Sequence, residues 1–389
     1  MAHPTIDVGD QGDSFAFIYS IEDPKGMSPR QGVGAQIMGP GDSYILQFSR
    51  NIASFWATPY SLALGARFRP QPDRAFVQPP RQLVTQDAFR RDVKEGFQGS
   101  ATWHQGHIVA EEAGASGDLR STVPSADWAF SIQPQDGWGP RTGKQAATAG
   151  WLASLPVFEP HWQVLMARGR ATGYIDWGGK RYDFTDAPAY AEKNWGAGFP
   201  KKWFWIVSTG FEGEPDASLT CVGARRGLLQ LPGVEEDVGM VGIHWRGQFI
   251  ELVPWNGEVQ WDVEPWGSWR VYARNAEYEA LVEAKCKSPG TPLRAPTADR
   301  GLDVFCRDSF FGQVRLRVWR RVANGAQQQE LLCDLSSKRG AVEVGGGPWW
   351  STWSAQAKMR EPLKTLVSLP VDIEGLAAAV PSQLRPPGL

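Results

Sequence analysis

The chain has 389 residues, 42% of them hydrophobic, and a formal net charge of −2 at pH 7. A chain of this length exceeds one typical core and predicts two or three domains. Because the charge is nearly balanced and no basic run is present, nucleic-acid binding is not expected. No apolar run approaches the roughly 18 residues of a membrane-spanning helix, so any lipid contact should be peripheral or inside a cavity.

Glycine (43 residues), proline (29) and tryptophan (19) are frequent, and turn residues between aromatic segments are typical of β-structure. The cysteines show no CxxC spacing, so buried free thiols are predicted instead of a zinc site. They are Cys221, Cys286, Cys306 and Cys333. His104 and His107 lie three residues apart on a predicted strand and would face opposite ways, so no metal site is expected there.

The first half of the chain predicts short strands separated by turns, with one helix at Gln86–Glu95 and an ordered glycine-rich loop at Gly137–Trp151. The predicted strands are residues 14–22, Gly32–Ile37, Ser43–Phe48, Trp103–Val109, Asp127–Gln133, His161–Ala167 and Arg170–Trp177.

The second half repeats this pattern and ends in a predicted helix at Pro362–Leu376. Its strands are Lys202–Ser208, Ser218–Arg225, Val241–Ile243, Gly247–Val253, Gly257–Glu264, Ser268–Arg274, Tyr278–Ala284 and Gln313–Arg320. The last reads QVRLRVWR, whose valines and leucine would face a core while its arginines face water. In each half an aromatic strand precedes a small-residue strand, which predicts two tandem β-units, residues 1–197 and 198–389. The fold class is therefore mostly β, as two barrels or sandwiches with few short helices.

The segment from Trp151 to Trp205 concentrates aromatic and ionisable side chains. Its tryptophans are Trp151, Trp162, Trp177, Trp195, Trp203 and Trp205. An indole presents a large apolar surface and an electron-rich face that favours a cation. A carboxyl among such faces loses solvation and holds its proton to higher pH. This combination suits the protonation of an alkene and the stabilisation of the resulting carbocation.

The same segment carries a family resemblance. The motifs FEPHW (Phe158–Trp162), DWGG (Asp176–Gly179), EKNWG (Glu192–Gly196) and KWFW (Lys202–Trp205) resemble the tocopherol cyclase family. Further agreement, in order, comes from GVGAQI, EGFQ, WHQGHI, LVPWNG, GTPLRAPT, CRDS, VEVGGGPW and the terminal RPPGL. The agreement runs from about residue 15 to the end and is more specific than any single motif.

The resemblance implies two lipocalin-like β-barrel units and an acid-catalysed ring closure. A prenylated benzoquinol would be protonated at its first trisubstituted double bond, and the phenol oxygen would capture the tertiary cation to give a chromanol. This isomerisation needs no metal or redox cofactor. The implied location is the plastid, at plastoglobules or thylakoids, and a transit peptide is expected to be absent from this chain. Relatives carry a GWYF-type first strand, which is either missing here or replaced by Thr5–Val8.

Four candidate catalytic residues follow from the resemblance. Glu192, between Tyr190 and Trp195, is the first choice for the acid, unless it only forms an ion pair or caps a loop. Asp186 is the second choice, although an aspartate before Ala-Pro commonly forms a turn. His161 or Glu159 is expected to accept the phenol proton, with a structural histidine as the alternative. The expected substrate-binding residues are Trp151, Trp162, Tyr190, Asn194, Trp195, Trp203 and Asp308.

Two alternatives use the same fold. A related isoprenoid hydratase or cyclase would also protonate an alkene, but water or another group would capture the cation. A lipid carrier would use the barrel without an acid. Contact with a lipid body or membrane surface is expected in each case, with Trp349, Trp350 and Trp353 as candidates for the contacting surface, unless they belong to the second core.

Overall fold

A computed structural model gives the fold. It describes residues 2–8, 13–23, 25–27, 29–58, 62–72, 82–110, 121–140, 158–196, 198–228, 233–297, 299–321, 329–359, 361, 363–367, 369 and 371. No helix in this part of the chain is both long enough and apolar enough to cross a membrane. All four cysteines are free thiols, as predicted, and only Cys306 is more than slightly exposed.

The first sheet has eleven described strands, all antiparallel to their neighbours, in the order β4-β3-β2-β1-β12-β11-β9-β8-β7-β6-β5. They are β1 Ala2–Val8, β2 Asp13–Glu22, β3 Gly32–Gly39, β4 Ser43–Ser49, β5 Phe55–Ala57, β6 Ala63–Pro70, β7 Val93–Ser100, β8 Trp103–Val109, β9 Ser125–Asp136, β11 His161–Trp177 and β12 Lys180–Trp195. Helix α1 (Gln86–Asp92) precedes β7 and begins after Thr85, whose hydroxyl accepts a hydrogen bond from the Ala88 N–H.

The second sheet has twelve described strands, and its path runs β16-β15-β14-β13-β22-β21-β19-β18-β17-β23, with β10 beside β14 and β20 beside β21. They are β10 Phe158–Glu159, β13 Lys202–Ser208, β14 Ser218–Leu228, β15 Glu235–Trp245, β16 Gln248–Leu252, β17 Gly257–Val263, β18 Ser268–Asn275, β19 Tyr278–Lys285, β20 Thr291–Thr297, β21 Gly301–Arg321, β22 Gln329–Gly346 and β23 Trp353–Ala357. A short helix, α2 (Leu363–Val367), follows β23.

Side-chain alternation explains why these segments are strands. In β21, Val314, Leu316 and Val318 are 2%, 0% and 0% exposed and join the core of the second sheet. Arg315 and Arg317 point the other way and pair with Asp334 and Glu283. The predicted period of two is therefore confirmed, with one face of the strand packed and the other solvated.

Both sheets curl back on themselves. In the first, the Gln47 side chain of β4 accepts a hydrogen bond from the Val109 N–H of β8, 3.3 Å away. In the second, Gly239 of β15 lies so close to Trp261 of β17 that an added Cβ would be 2.8 Å from the indole ring. Each sheet encloses its own buried cluster of aliphatic and aromatic side chains. The predicted class, mostly β in two tandem barrel-like units, is confirmed.

The first strand, β1, contains Thr5–Val8, which was one of the two alternatives offered by the sequence. Strand β1 lies between β2 and β12, with Thr5 opposite both Ala16 and Tyr190. Its pairing with β12 places His3 opposite Glu192 at the backbone. Ala2–Val8 therefore supplies the first strand of this sheet, and it supports the backbone that carries Glu192.

The two sheets contact each other through a shared apolar cluster and through Asp42. The cluster includes Tyr190 from the first sheet and Trp205 and Phe310 from the second. The Asp42 carboxylate accepts hydrogen bonds from the hydroxyls of Ser288 (2.6 Å) and Ser309 (2.7 Å) and from the Phe310 N–H (3.1 Å). The described strands pass from one sheet to the other between β12 and β13, apart from β10, which lies earlier in the chain and pairs with β14. The division at residue 197 stays a prediction.

Several strand predictions were wrong in their limits. The predicted Val241–Ile243 and Gln313–Arg320 lie within the longer strands β15 and β21. The segments His161–Ala167 and Arg170–Trp177 form one strand, β11, because register shifts opposite β12 absorb the glycine at position 169 without ending the ladder. The turn expected at Asp186 is instead a bend within β12, where Asp186 adopts a φ of 59°. Aspartate tolerates this left-handed conformation better than most residues.

Candidate functional site

A cavity lies where the two sheets meet. It contains about 590 Å³ of empty space, counted out to its opening. Its walls are mostly apolar, with a small number of polar groups facing inward, which is the usual character of a small-molecule site. The lining residues are Pro160, Trp162, Glu192, Asn194, Phe199, Pro200, Trp203, Trp205, Val222, Ala224, Arg226, Val238, Met240 and Glu343.

Strand periodicity positions these side chains. Glu192 and Asn194 are two residues apart on β12, and Trp203 and Trp205 are two apart on β13. Residues with this spacing point to the same face of a sheet. The same spacing brings Val222, Ala224 and Arg226 of β14 into the cavity wall.

Glu192 has four side-chain hydrogen-bond donors around its carboxyl group. Its Oε2 accepts from Tyr190 Oη (2.7 Å), Trp162 Nε1 (2.8 Å) and Trp205 Nε1 (3.0 Å). Its Oε1 accepts from Asn194 Nδ2 at 3.2 Å. Donors of this kind favour the ionised carboxylate, although the residue is only 6% exposed. Burial, and then the charge of Glu192, hold the pKa of Tyr190 well above its usual range, so the phenol remains a donor.

A second carboxyl, Glu343 of β22, faces the cavity and accepts a hydrogen bond from Trp203 Nε1. Asp308 lies directly opposite Glu343 on β21. Asp308 is 4% exposed, and its Oδ1 is buried with no hydrogen-bond partner in the described part of the chain. Burial raises the pKa of Asp308 well above its usual range, and the charges of Glu343, Asp42 and Glu192 raise it further.

Sequence reasoning missed Glu343. The motif VEVGGGPW entered the sequence analysis only as part of the family resemblance. The available signal was the alternation Val342, Glu343, Val344, in which both valines belong to the second core and the glutamate must face the other way.

Arg226 is the cationic side chain in the cavity lining. It is 8% exposed, and its guanidinium bonds to Glu236 through Nε, at 2.8 Å. Burial lowers the pKa of Arg226, and the Glu236 charge opposes that effect. Arg226 therefore forms an ion pair with Glu236 at the cavity wall.

Metal-ligating atoms come together at one place in the described residues, where Cys306, Asp308 and Glu343 lie within 4.8 Å of one another. Their environment fits protons better than a metal ion. The Cys306 thiol donates to the Leu293 carbonyl at 3.6 Å, and Trp203 already occupies Oε1 of Glu343. Burial, followed by the charges of Glu343 and Asp308, holds the pKa of Cys306 well above its usual range, which opposes the thiolate that a metal would need.

The structure brings some of the predicted site residues together. Trp162, Glu192, Asn194 and Trp203 line the cavity, Tyr190 binds Glu192, and Asp308 pairs with Glu343 behind the wall.

Other predicted residues lie elsewhere. His161 stacks on Trp195 with ring centroids 5.0 Å apart, and neither residue lines the cavity. Asp186 is exposed and six residues from Glu192, roughly 20 Å along an extended strand. Of Glu159 only the backbone is described, paired with Gly227, and Trp151 lies outside the described residues.

Comparison with known proteins agrees with the motifs. A family model described as "Tocopherol cyclase-like" matches residues 3–346. The "Tocopherol cyclase, chloroplastic" of Zea mays is 43% identical, over 97% of this chain and 80% of the maize protein. The "Probable tocopherol cyclase, chloroplastic" of Oryza sativa subsp. japonica is 42% identical, over 97% of this chain and 81% of the rice protein.

Among solved structures, kievitone hydratase from Nectria haematococca aligns with 90% of this chain and 88% of its own, with a TM-score of 0.41 and 8% identity. That likeness is too low to carry any argument about the site. The family match and the two plant relatives each cover most of the chain. The chain therefore belongs to the tocopherol cyclase-like family.

Proposed function

We propose that this chain is a tocopherol cyclase that closes the chromanol ring of a prenylated benzoquinol in the cavity between the two sheets. The observation that carries the proposal is Glu192, a buried carboxyl held by two indole N–H groups inside an apolar cavity. The identity to the two plant cyclases supports the same activity.

The reaction rearranges atoms without loss. A proton adds to the less substituted carbon of the first prenyl double bond, and a tertiary cation forms at the other carbon. The phenol oxygen bonds to that cation and releases its own proton. The product has the composition of the substrate, which places the reaction in the class of isomerases or intramolecular lyases.

The cavity supplies what this chemistry requires. Its apolar wall would hold the prenyl tail folded beside the phenol, and positioning of this kind contributes about 7–11 kcal/mol in well-oriented intramolecular reactions. The faces of Trp162 and Trp203 can stabilise a cation that has lost its water. A nearby carboxylate strengthens that effect in a site of low dielectric constant.

We assign the role of Glu192 from the hydrogen-bond donors around its carboxyl group. The sequence suggested Glu192 as the acid, and that prediction stays untested. Four donors around the carboxyl favour its ionised form, so we assign Glu192 to stabilise the tertiary cation and accept the phenol proton. His161 or Glu159 as the base also stays a prediction, and the position of His161 outside the cavity lining gives it less support.

The test is the variant Glu192→Gln, with purified protein and a phytyl benzoquinol. Glutamine keeps the size and most hydrogen bonds of the side chain but removes its charge and its capacity to take a proton. We expect chromanol formation to fall by roughly 10²-fold or more, with substrate binding near that of the wild type. The control Asp183→Asn changes an exposed carboxyl on the same strand and should keep full activity.

The products separate the alternatives. A tertiary alcohol would indicate a hydratase, and unchanged quinol that remains bound would indicate a carrier. Chromanol made by Glu192→Gln at the wild-type rate would show that Glu192 is structural.

The two plant relatives are named as chloroplastic, which supports a plastid location for this chain. Association with plastoglobules or thylakoids is part of the proposal. Its support is the substrate, whose prenyl tail is insoluble in water and must be taken up from a lipid surface.

A further inference from the structure

We propose that Glu343 is the proton donor of the ring closure and that Asp308 is a positioning residue that shares its proton. This inference rests on the proposed cyclase function. It assigns the acid to the second sheet and the base, Glu192, to the first.

The first observation is the register of β21 and β22. Asp308 and Glu343 are directly opposite each other in this antiparallel pair. Two carboxylates facing each other across a ladder repel, and the repulsion is larger when water is excluded. Such a pair retains one proton between its two groups, as happens wherever two carboxyls share a dry site.

The second observation is the surroundings of Asp308. No ion pair in the described part of the chain includes it, and its Oδ1 is buried without a hydrogen-bond partner. A buried carboxylate oxygen with no donor is costly, whereas a protonated carboxyl needs fewer donors.

The charged and titratable groups facing the pair come from several elements. Asp42, at the 3₁₀ turn between β3 and β4, has its carboxylate held by the two serine hydroxyls and the Phe310 N–H described above. Glu192 lies near the pair on β12, the Cys306 thiol lies beside it on β21, and Arg226 of β14 forms an ion pair with Glu236 at the cavity wall. The charges of Glu343, Asp42 and Glu192 are all negative, and each of them favours a retained proton on Asp308.

The third observation is that only Glu343 of the pair lines the cavity. Trp203 fixes its Oε1, while Trp205, two residues along β13, binds Glu192. Because alternate residues of a strand are about 6.6 Å apart, the two indoles hold the two carboxyls side by side on one wall. A quinol ring and the first double bond of its tail can lie against both.

The proton cycle balances. Protonated Glu343 gives its proton to the alkene carbon, and Asp308 and Glu343 then carry the negative charge left behind. The phenol oxygen bonds to the cation, and its proton passes to Glu192. Transfer of that proton from Glu192 to Glu343 across the shared wall restores the starting state, with no net gain or loss.

The test compares wild-type protein with Glu343→Gln, Asp308→Asn and Glu343→Asp. In infrared difference spectra near pH 7, we expect the carbonyl band of a protonated carboxyl in the wild type, a changed frequency in Glu343→Gln, where buried Asp308 alone keeps the proton, and a return to the wild-type frequency in Glu343→Asp. We expect chromanol formation to fall by about 10²–10⁴-fold in Glu343→Gln, with partial activity in Glu343→Asp. Asp334→Asn, an exposed position on the same strand, is the matched control and should match the wild type in both readouts.

Asp308→Asn has a different expected signature. Removing the facing negative charge lowers the pH at which Glu343 loses its proton, so the high-pH limit of activity should move to lower pH while substrate binding, followed by quenching of the cavity indoles, is kept. A purely structural role for Asp308 would lower the rate at every pH without moving that limit.

Four other results would each contradict a stated part of the proposal. Absence of the infrared band in the wild type would overturn the shared proton, whether or not the protein makes chromanol. A wild type that shows the band but makes no chromanol would refute the cyclase proposal and, with it, the donor role. Wild-type rates in Glu343→Gln would overturn the donor role alone. Activity lost on chelation and restored by a divalent cation would show that Cys306, Asp308 and Glu343 hold a metal instead.

Discussion

At the residue scale, the site places the same chemical group in two opposite environments. Glu192 is surrounded by donors, including Tyr190 and Trp205, which favour its carboxylate. Asp308 is buried with an oxygen that lacks a donor and with carboxyls as neighbours. On the proposed assignment, these different environments let one site hold a shared proton on Asp308 and Glu343 beside an ionised Glu192 at the same pH.

The raised pKa of Asp308 predicts a pH-dependent cost in stability. At pH values between the ordinary pKa of Asp308 and its higher pKa in the folded protein, the folded state binds the proton more tightly than the unfolded state. The free energy of unfolding therefore falls as the pH rises through that range. Asparagine cannot ionise, so the free energy of unfolding of Asp308→Asn does not fall in this way. Its urea midpoint should therefore rise relative to that of the wild type between pH 5 and pH 8, even though its activity at high pH falls. A difference in midpoint that is the same at both pH values would contradict the assignment.

At the element scale, the sequence predicted much of the fold because the pattern of alternation is local. The run from Val314 to Val318 alternates in the sequence and in burial. Strand β12 was not predicted, because Asp186 and Pro188 signal a turn, and only pairing with β1 and β11 holds this segment extended. The Asp308–Glu343 pair was equally hidden, since register across 35 residues cannot be derived from either strand alone.

Strand β1 predicts a clear stability effect. Ile6 is fully buried in the first core. Ile6→Ala removes methyl groups from a packed site and should lower the free energy of unfolding by about 2–4 kcal/mol. The measurement is urea denaturation, with Val109→Ala as the control, since Val109 is 37% exposed and its truncation should cost about 0.5 kcal/mol or less. Equal losses in the two variants would mean that β1 is not packed as a core strand.

Amide exchange in β12 should also quicken in Ile6→Ala, because β1 pairs with the backbone at Glu192.

At the scale of the whole molecule, the site depends on both sheets. The first sheet supplies Trp162 and Glu192, and the second supplies Trp203, Trp205 and Glu343. Neither unit alone encloses the cavity, and the Asp42 contacts and the shared apolar cluster join the two sheets that form its walls.

A candidate lipid-binding surface lies near the opening of this cavity. Phe199 and Pro200 line the cavity, and the next residues, Lys201 and Lys202, line a surface cleft together with Trp350. Trp350 is 89% exposed, whereas Trp353 is only 5% exposed and packs in the second core. Of the sequence candidates for a lipid surface, Trp350 therefore has the geometry to insert among lipids, close to the cavity.

Trp350→Ser should weaken flotation with liposomes that carry the quinol and should raise KM for quinol delivered in those liposomes. An exposed indole suits the membrane interface because its ring is apolar and its N–H can still bond to water. In the cleft wall, Lys201 pairs with Glu235 and Arg225 pairs with Asp237, while Lys202 lies over the Trp349 ring and adds a positive charge. The attraction should therefore be mainly apolar and should weaken only in part with salt. Met27→Ser, which removes a side chain of similar exposure on the first unit, is the control and should leave flotation unchanged. If Trp350→Ser floats as the wild type does, or if salt alone abolishes flotation, the protein takes up its substrate through another surface.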